Sequence, residues 1–184
     1  MHRILGSRGA IPYVMIVLAV LARFIPHLPN FSPVYGALLF GGAHLSKRES
    51  LWFPLILLGA SDCVLTGLVY HRNIGWMELI QLAAFAAIAL VGWTLRRRFT
   101  WRGFSAACVA GPSAFYLISN FGVWLGWHSY PPTWEGLIEC YVAGIPFYGY
   151  SLASTFVFGA ALFGMYEFFV TRAEQSPSVK AHTT

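Results

Sequence analysis

The stretch GWMELIQLAAFAAIALVGWTLRRR, residues 75–98, decides how this chain is read. After Glu78 and Gln81 it is apolar almost to its end, and then it stops at three arginines. A helix of about 20 apolar residues crosses a bilayer, and Lys and Arg concentrate on the cytoplasmic flank of such a helix. The same unit recurs in both directions. Arg3 with Arg8, Lys47 with Arg48, Arg96, Arg97 and Arg98 with Arg102, and Arg172 with Lys180 hold ten of the twelve lysines and arginines. Only Arg23 and Arg72 lie outside these clusters. If every cluster is cytoplasmic, the chain crosses six times and both termini are cytoplasmic.

Composition agrees. Hydrophobic residues make up 57% of the 184 residues and charged ones 10%, well under the roughly 25% charged expected of a soluble domain. So few charges cannot cover a soluble surface, so lipid must serve as solvent. The net charge of +5 sits at the ends of apolar runs, where topology control and headgroup contact need it. That placement argues against nucleic acid as a partner. Cys63, Cys108 and Cys140 have no metal-finger spacing and read as small buried hydrophobes. Residues 11–22 behind a basic start resemble a signal peptide, but the run continues through Arg23 to Ile25 and is read as a span.

Six segments follow, at about 10–25, 33–46, 51–70, 75–95, 103–125 and 147–170. The second is short for a lone span, and its Gly36, Ala37, Gly41 and Gly42 point to close packing away from lipid. The hairpin at 26–33 carries three prolines and is expected to be stiff and non-helical. Residues 135–145 are expected to form a short helix, interrupted before Pro146, as a lid or re-entrant piece on the outer face. The fold expected is therefore all-α: an integral membrane bundle of about six transmembrane helices with a short outer-face helix before the last span. Residues 1–173 form one transmembrane domain and 174–184 a disordered cytoplasmic tail. No internal repeat supports an inverted-repeat transporter.

Polar residues inside the runs fall on the outer side. Asp62 lies within the third segment, where an unpaired carboxylate costs several kcal/mol and so must face the bundle or a wet cavity. It reads as a ligand- or proton-binding group, or as half of a structural ion pair with Arg23. Arg23 snorkels, pairs with Asp62, or meets an anionic substrate group. Asn120, in the outer half of the fifth segment, bridges helices or a ligand. These three are expected to share one hydrogen-bonded cluster at the floor of an outward-opening cup. Glu78 and Gln81 lie one turn apart at the outer start of the fourth segment. Asn30 in the hairpin, Trp124, His128, Tyr130 and Trp134 near the lid, and Glu139 in it complete the candidate substrate-binding set. The outer aromatics are an interfacial belt or, nearest the lid, a stacking cage.

Enzyme signatures are weak. There is no HExxH motif and no Gly-rich phosphate loop, and His27, His44, His71 and His128 sit on separate segments. Gly111-Pro112-Ser113-Ala114-Phe115 lacks the second glycine of a nucleophile elbow. No catalytic residue, resident cofactor or metal site is expected, and the chain is not expected to be an enzyme.

Several strings also resemble a known group. They are Arg23-Phe24-Ile25-Pro26-His27-Leu28-Pro29-Asn30-Phe31-Ser32-Pro33, Ala37-Leu38-Leu39-Phe40-Gly41-Gly42, Ser61-Asp62, Ser119-Asn120-Phe121-Gly122-Val123-Trp124, Tyr130-Pro131, and the run from Gly136 through Glu139 and Cys140 to Pro146-Phe147. Together they resemble an uncharacterised family of small bacterial six-helix membrane proteins. That family in turn looks like the S-components of energy-coupling-factor vitamin transporters. The resemblance implies a substrate-binding transport subunit in the bacterial inner membrane, capturing a vitamin, vitamin precursor or metal chelate from outside. It also implies a partner transmembrane subunit and ATPases. Where S-components carry an AxxxA docking motif, Ala19 is followed by Arg23. Cys63 beside Asp62 would be the soft ligand if the cargo were a cobalt chelate. Tyr148-Gly149-Tyr150-Ser151 stands where the family often has Asn-Thr and Asp, which argues against a site there. The alternatives are a structural or assembly protein without a small-molecule ligand and, behind it, a membrane-embedded enzyme.

Overall fold

The computed structural model describes residues 4–25, 28–69, 75–96, 99–126 and 129–175. It has six α-helices, and no strand among the described residues: α1 (Ile4–Ala22), α2 (Val34–His44), α3 (Glu49–Val64), α4 (Met77–Gly92), α5 (Trp101–Gly126) and α6 (Trp134–Gln175). A π-helical turn, Leu65–Val69, extends α3, and a 3-10 turn, Trp93–Leu95, extends α4. Four helical stretches are long and apolar enough to cross a membrane: Glu49–Gly67, Met77–Leu95, Trp101–Gly126 and Trp134–Val170. Many large apolar side chains face outward, Leu18, Ile56, Leu79 and Leu117 among them. A soluble monomer does not carry so much exposed apolar surface, whereas a membrane bundle requires it.

The architecture is built around α2. With 11 residues it is only about 16 Å long, roughly half the hydrocarbon thickness. It cannot stand in lipid alone, and residues 34–42 are all buried. It touches each of the other five α-helices. Two glycine pairs make this possible. A Cβ on Gly42 would lie 2.3 Å from the Ala89 carbonyl oxygen and 2.8 Å from Gly92 Cα, and one on Gly36 would lie 2.7 Å from Gly159 N. Backbones of α2, α4 and α6 therefore meet directly, as small residues allow between membrane helices.

One end of the bundle collects basic groups. Arg96 Nη1 donates to the Gly42 carbonyl at 2.9 Å, and Trp93 Nε1 donates to Ser50 Oγ at 2.9 Å. Lys47 Nζ sits 5.4 Å from the centre of the Trp93 ring. The end of α2, the start of α3 and the end of α4 thus share one side, as the charge pattern requires. Reciprocal bonds between Ser46 and Glu49, backbone N–H to side chain in each direction, hold the turn that starts α3.

Two expectations change. Residues 135–145 are not a separate short helix: α6 runs unbroken through Pro146 to Gln175. A proline inside a helix removes one hydrogen bond, here the one to the Val142 carbonyl, and membrane helices tolerate that loss. The proposed tail begins no earlier than 176, and residues 176–184 lie outside the described residues. Residues 28–33 are non-helical as expected, and Asn30 takes a left-handed φ of 59°.

Replacing Gly42 by Ala should destabilise the bundle by about 2 kcal/mol or more, because the added methyl must push two backbones apart. Gly149→Ala has open space around it and should be neutral or stabilising by up to about 1 kcal/mol. Unfolding in detergent, followed by helical circular dichroism, checks both.

Candidate functional site

The site follows from the shortness of α2. One end of that helix reaches the basic side, so space remains above its other end. There the structure has a cavity of about 760 Å³. Its floor is the first turn of α2, with Val34 and Tyr35, and the hairpin contributes Pro29, Asn30 and Ser32. α1 brings Arg23, and the turn that extends α3 brings Leu65. Gln81 and Phe85 come from α4, one helical turn apart. Phe115, Tyr116, Ser119 and Asn120 come from α5, and Gly144, Phe147, Tyr148 and Ser151 from α6.

Arg23 is the only charged residue among the described residues of this wall. It is held from behind. Nη2 lies 2.6 Å from Asp62 Oδ1, and Nη1 donates to Ser61 Oγ at 2.8 Å. Ser61 Oγ in turn donates to the Leu58 carbonyl, so the serine is satisfied in both roles. Asp62 does not reach the cavity surface, and its Oδ2 is buried without a hydrogen-bond partner among the described residues. The two side chains are 14% and 12% exposed, so each removes an otherwise costly charge from the other's surroundings. The expected Arg23–Asp62 contact is therefore present and direct.

Asn120 is not part of that pair. It lines the same cavity, but its Nδ2 donates to the Tyr116 carbonyl at 2.8 Å and its Oδ1 packs on Gly144, where a Cβ would come within 2.6 Å. The backbone-directed bond one turn back is the nearer partner and wins. A polar network ties α5 to α6 beside it. Tyr116 Oη donates to the Tyr141 carbonyl, Tyr141 Oη donates to the Leu117 carbonyl at 2.7 Å, and Cys140 Sγ donates to the Asn120 carbonyl at 3.4 Å. The hydroxyls of Ser113 and Tyr148 share a hydrogen bond at 2.8 Å, and Ser151 Oγ donates to the Phe147 carbonyl at 3.0 Å.

Of the candidate residues, Arg23, Asn30, Gln81 and Asn120 line the cavity, and Asp62 stands behind it. Glu78 is turned to the start of its own helix, where Oε2 accepts the Gly75 N–H at 2.8 Å. Trp124 Nε1 donates to the Pro131 carbonyl at 3.0 Å, and neither Trp124 nor Tyr130 reaches the wall. Trp134 is 79% exposed and Glu139 is exposed. The continuity of α6 explains this: its first turns run straight on instead of folding back over the cup. His128 lies outside the described residues. The aromatic lining of the cavity among the described residues is instead Tyr35, Phe85, Phe115, Tyr116, Phe147 and Tyr148. Cys63 is an exposed free thiol off the cavity, while Cys108 and Cys140 are buried. Among the described residues no three His, Cys, Asp or Glu side chains converge as metal ligands would.

Tyr148 and Ser151, where the departure from the family pattern weakened any claim for a site, line the cavity. The signal was available: Gly144, Phe147, Tyr148 and Ser151 follow the i, i+3, i+4, i+7 spacing of one helical stripe, and Tyr116, Ser119 and Asn120 repeat it on α5.

An apolar helical bundle around a half-polar cavity defines a class: an all-α membrane protein with an internal cavity. The chain belongs to a protein family of unknown function, DUF6580, which matches residues 4–178. No curated protein and no solved structure matches it. The family-level resemblance stands, and no similarity to energy-coupling-factor S-components accompanies it.

Arg23→Gln and Asp62→Asn should each cost about 3 kcal/mol, by leaving the partner charge buried and unpaired. The double variant should cost less than either single change. A double-mutant cycle on unfolding in detergent reads the coupling, and strictly additive losses would reject a direct pair.

Proposed function

We propose that this protein is a substrate-binding subunit of membrane transport, taking a small molecule into the cup from the hairpin side. What supports the reading is the cavity: its volume of about 760 Å³ falls within the roughly 300–1,000 Å³ typical of small-molecule sites. Its wall also has the mix such sites carry, with aromatic surface broken by a few converging polar groups. The basic end lies opposite, so the positive-inside bias puts the cup on the outside and both termini in the cytoplasm. A solute entering from outside meets the cup first. The S-component resemblance adds micronutrient capture in the inner membrane as the narrower form of this reading. No phosphate-binding loop is present in the sequence, so energy for release into the cell comes from a partner subunit with ATPases or from an ion gradient.

A purely structural or assembly role is the competing reading. It favours a bundle packed solid around Asp62, and a cavity of this size counts against it. For an enzyme, the hydroxyls in the wall need a base. Ser151 in the wall donates instead to the Phe147 carbonyl at 3.0 Å.

Native mass spectrometry of the full chain purified in detergent should show a small-molecule adduct. Ser119→Trp, which places an indole in the cavity, should remove that adduct while shifting the melting temperature by no more than roughly 3 °C. An adduct that persists unchanged in the filled variant, or a wild-type protein carrying lipid alone, would overturn the reading.

A further inference from the structure

Among the described residues, the wall of the cavity has one cation and many neutral hydrogen-bonding groups. Asn30, Ser32, Gln81, Ser119, Asn120 and Ser151 are all uncharged, and Arg23 stands alone among them. Two of its N–H groups are committed to Ser61 and Asp62. Both partners lie on α3 and neither reaches the cavity. The planar fork is therefore clamped from α3, and its other donors, without a partner among the described residues, are left for whatever occupies the cup. Clamping matters because a free arginine side chain loses rotamer freedom when it binds, and this one has already lost it. The pair is also not easily explained by stability. Buried ion pairs are often matched by apolar residues of similar volume, and here Asp62 Oδ2 remains unpartnered among the described residues.

Beside Arg23 the cavity offers flat surface. Tyr35 and Arg23 line the same cavity. Its ring meets Phe115 at 5.0 Å between centroids, and Phe115 stacks on Phe85 at 5.3 Å with planes 29° apart. The three rings make one continuous aromatic wall in the cavity that Arg23 also lines.

We propose that the ligand is a small planar carboxylate, with its anion on the free edge of Arg23 and its ring against the wall of Tyr35, Phe85 and Phe115. This rests on the ligand-binding reading above and narrows it to a chemical class. A carboxylate fits better than a phosphate dianion. Its two oxygens match one guanidinium fork, and no second cation is present among the described residues of the wall to balance a second charge. The first turn of α2, pointing its N-terminus at the floor, adds partial positive charge of the same sign. Asp62 is a positioning residue: it holds the fork and does not touch the ligand.

The test uses three ring-matched probes, naphthoate, naphthamide and naphthylmethylammonium, binding to the full chain in detergent by isothermal titration. Naphthoate should bind at least about tenfold more tightly than the amide, as a charge-assisted bond in place of a neutral one implies. The ammonium should bind more weakly than either. Arg23→Lys keeps the charge but loses the fork, and should retain only part of the preference. The double variant Arg23→Gln with Asp62→Asn should lose the preference while still binding the amide. Ser119→Trp should bind none of the three. An amide or ammonium that equals or exceeds naphthoate overturns the carboxylate assignment and leaves the ligand-binding reading intact. So does a preference for naphthoate that survives in the double variant. Failure of all three probes to bind the wild-type chain rejects both.

Discussion

A helix too short for its solvent organises this molecule. α2 offers about 16 Å where the hydrocarbon layer is roughly 30 Å thick, so every backbone group near its ends has to be sheltered by protein. The glycine contacts at Gly36–Gly159 and Gly42–Gly92 supply that shelter by letting α6 and α4 close on it directly. Dispersion between touching backbones does here what water would do in a soluble core, since lipid gives no hydrophobic force between helices. The cavity is the remainder. Where α2 stops, the longer helices continue, and the hairpin at 28–33 covers only part of the opening.

The ion pair belongs to the same geometry. α1 ends at Ala22, and the next residue turns its guanidinium toward α3. There the helix is about to widen into the π-helical turn Leu65–Val69, a feature that often marks functional stretches. Arg23 thereby ties the end of α1 to the wall of the cup. The tie is made to α3, and the same residue lines the cup.

Much of the fold was legible because it rests on two strong signals, apolar run length and the alternation of basic clusters. Both are imposed by the bilayer and read residue by residue. The Arg23–Asp62 contact was legible for the same reason, since charges in apolar runs have few places to go. The other side of the cup was not. Asn120 has a backbone partner one turn away that no spacing argument weighs against a distant one. Trp134 and Glu139 looked like lid residues because Pro146 looked like a break, and a proline's effect on a helix depends on neighbours that sequence alone does not supply. Tyr148 and Ser151 were discounted by comparison with a family pattern, although their helical spacing put them on one stripe.

The length of α6 ties the cup to the membrane around it. Its 42 residues span about 63 Å, roughly twice the hydrocarbon thickness, so the helix has to tilt or project beyond the bilayer. Gly144, Phe147, Tyr148 and Ser151 sit in its first half. The depth at which those side chains stand therefore follows from how the helix settles its mismatch with the lipid. Acyl-chain length becomes a variable of the binding site: a thicker bilayer draws the α6 wall deeper into hydrocarbon, and a thinner one leaves more of it in the interface.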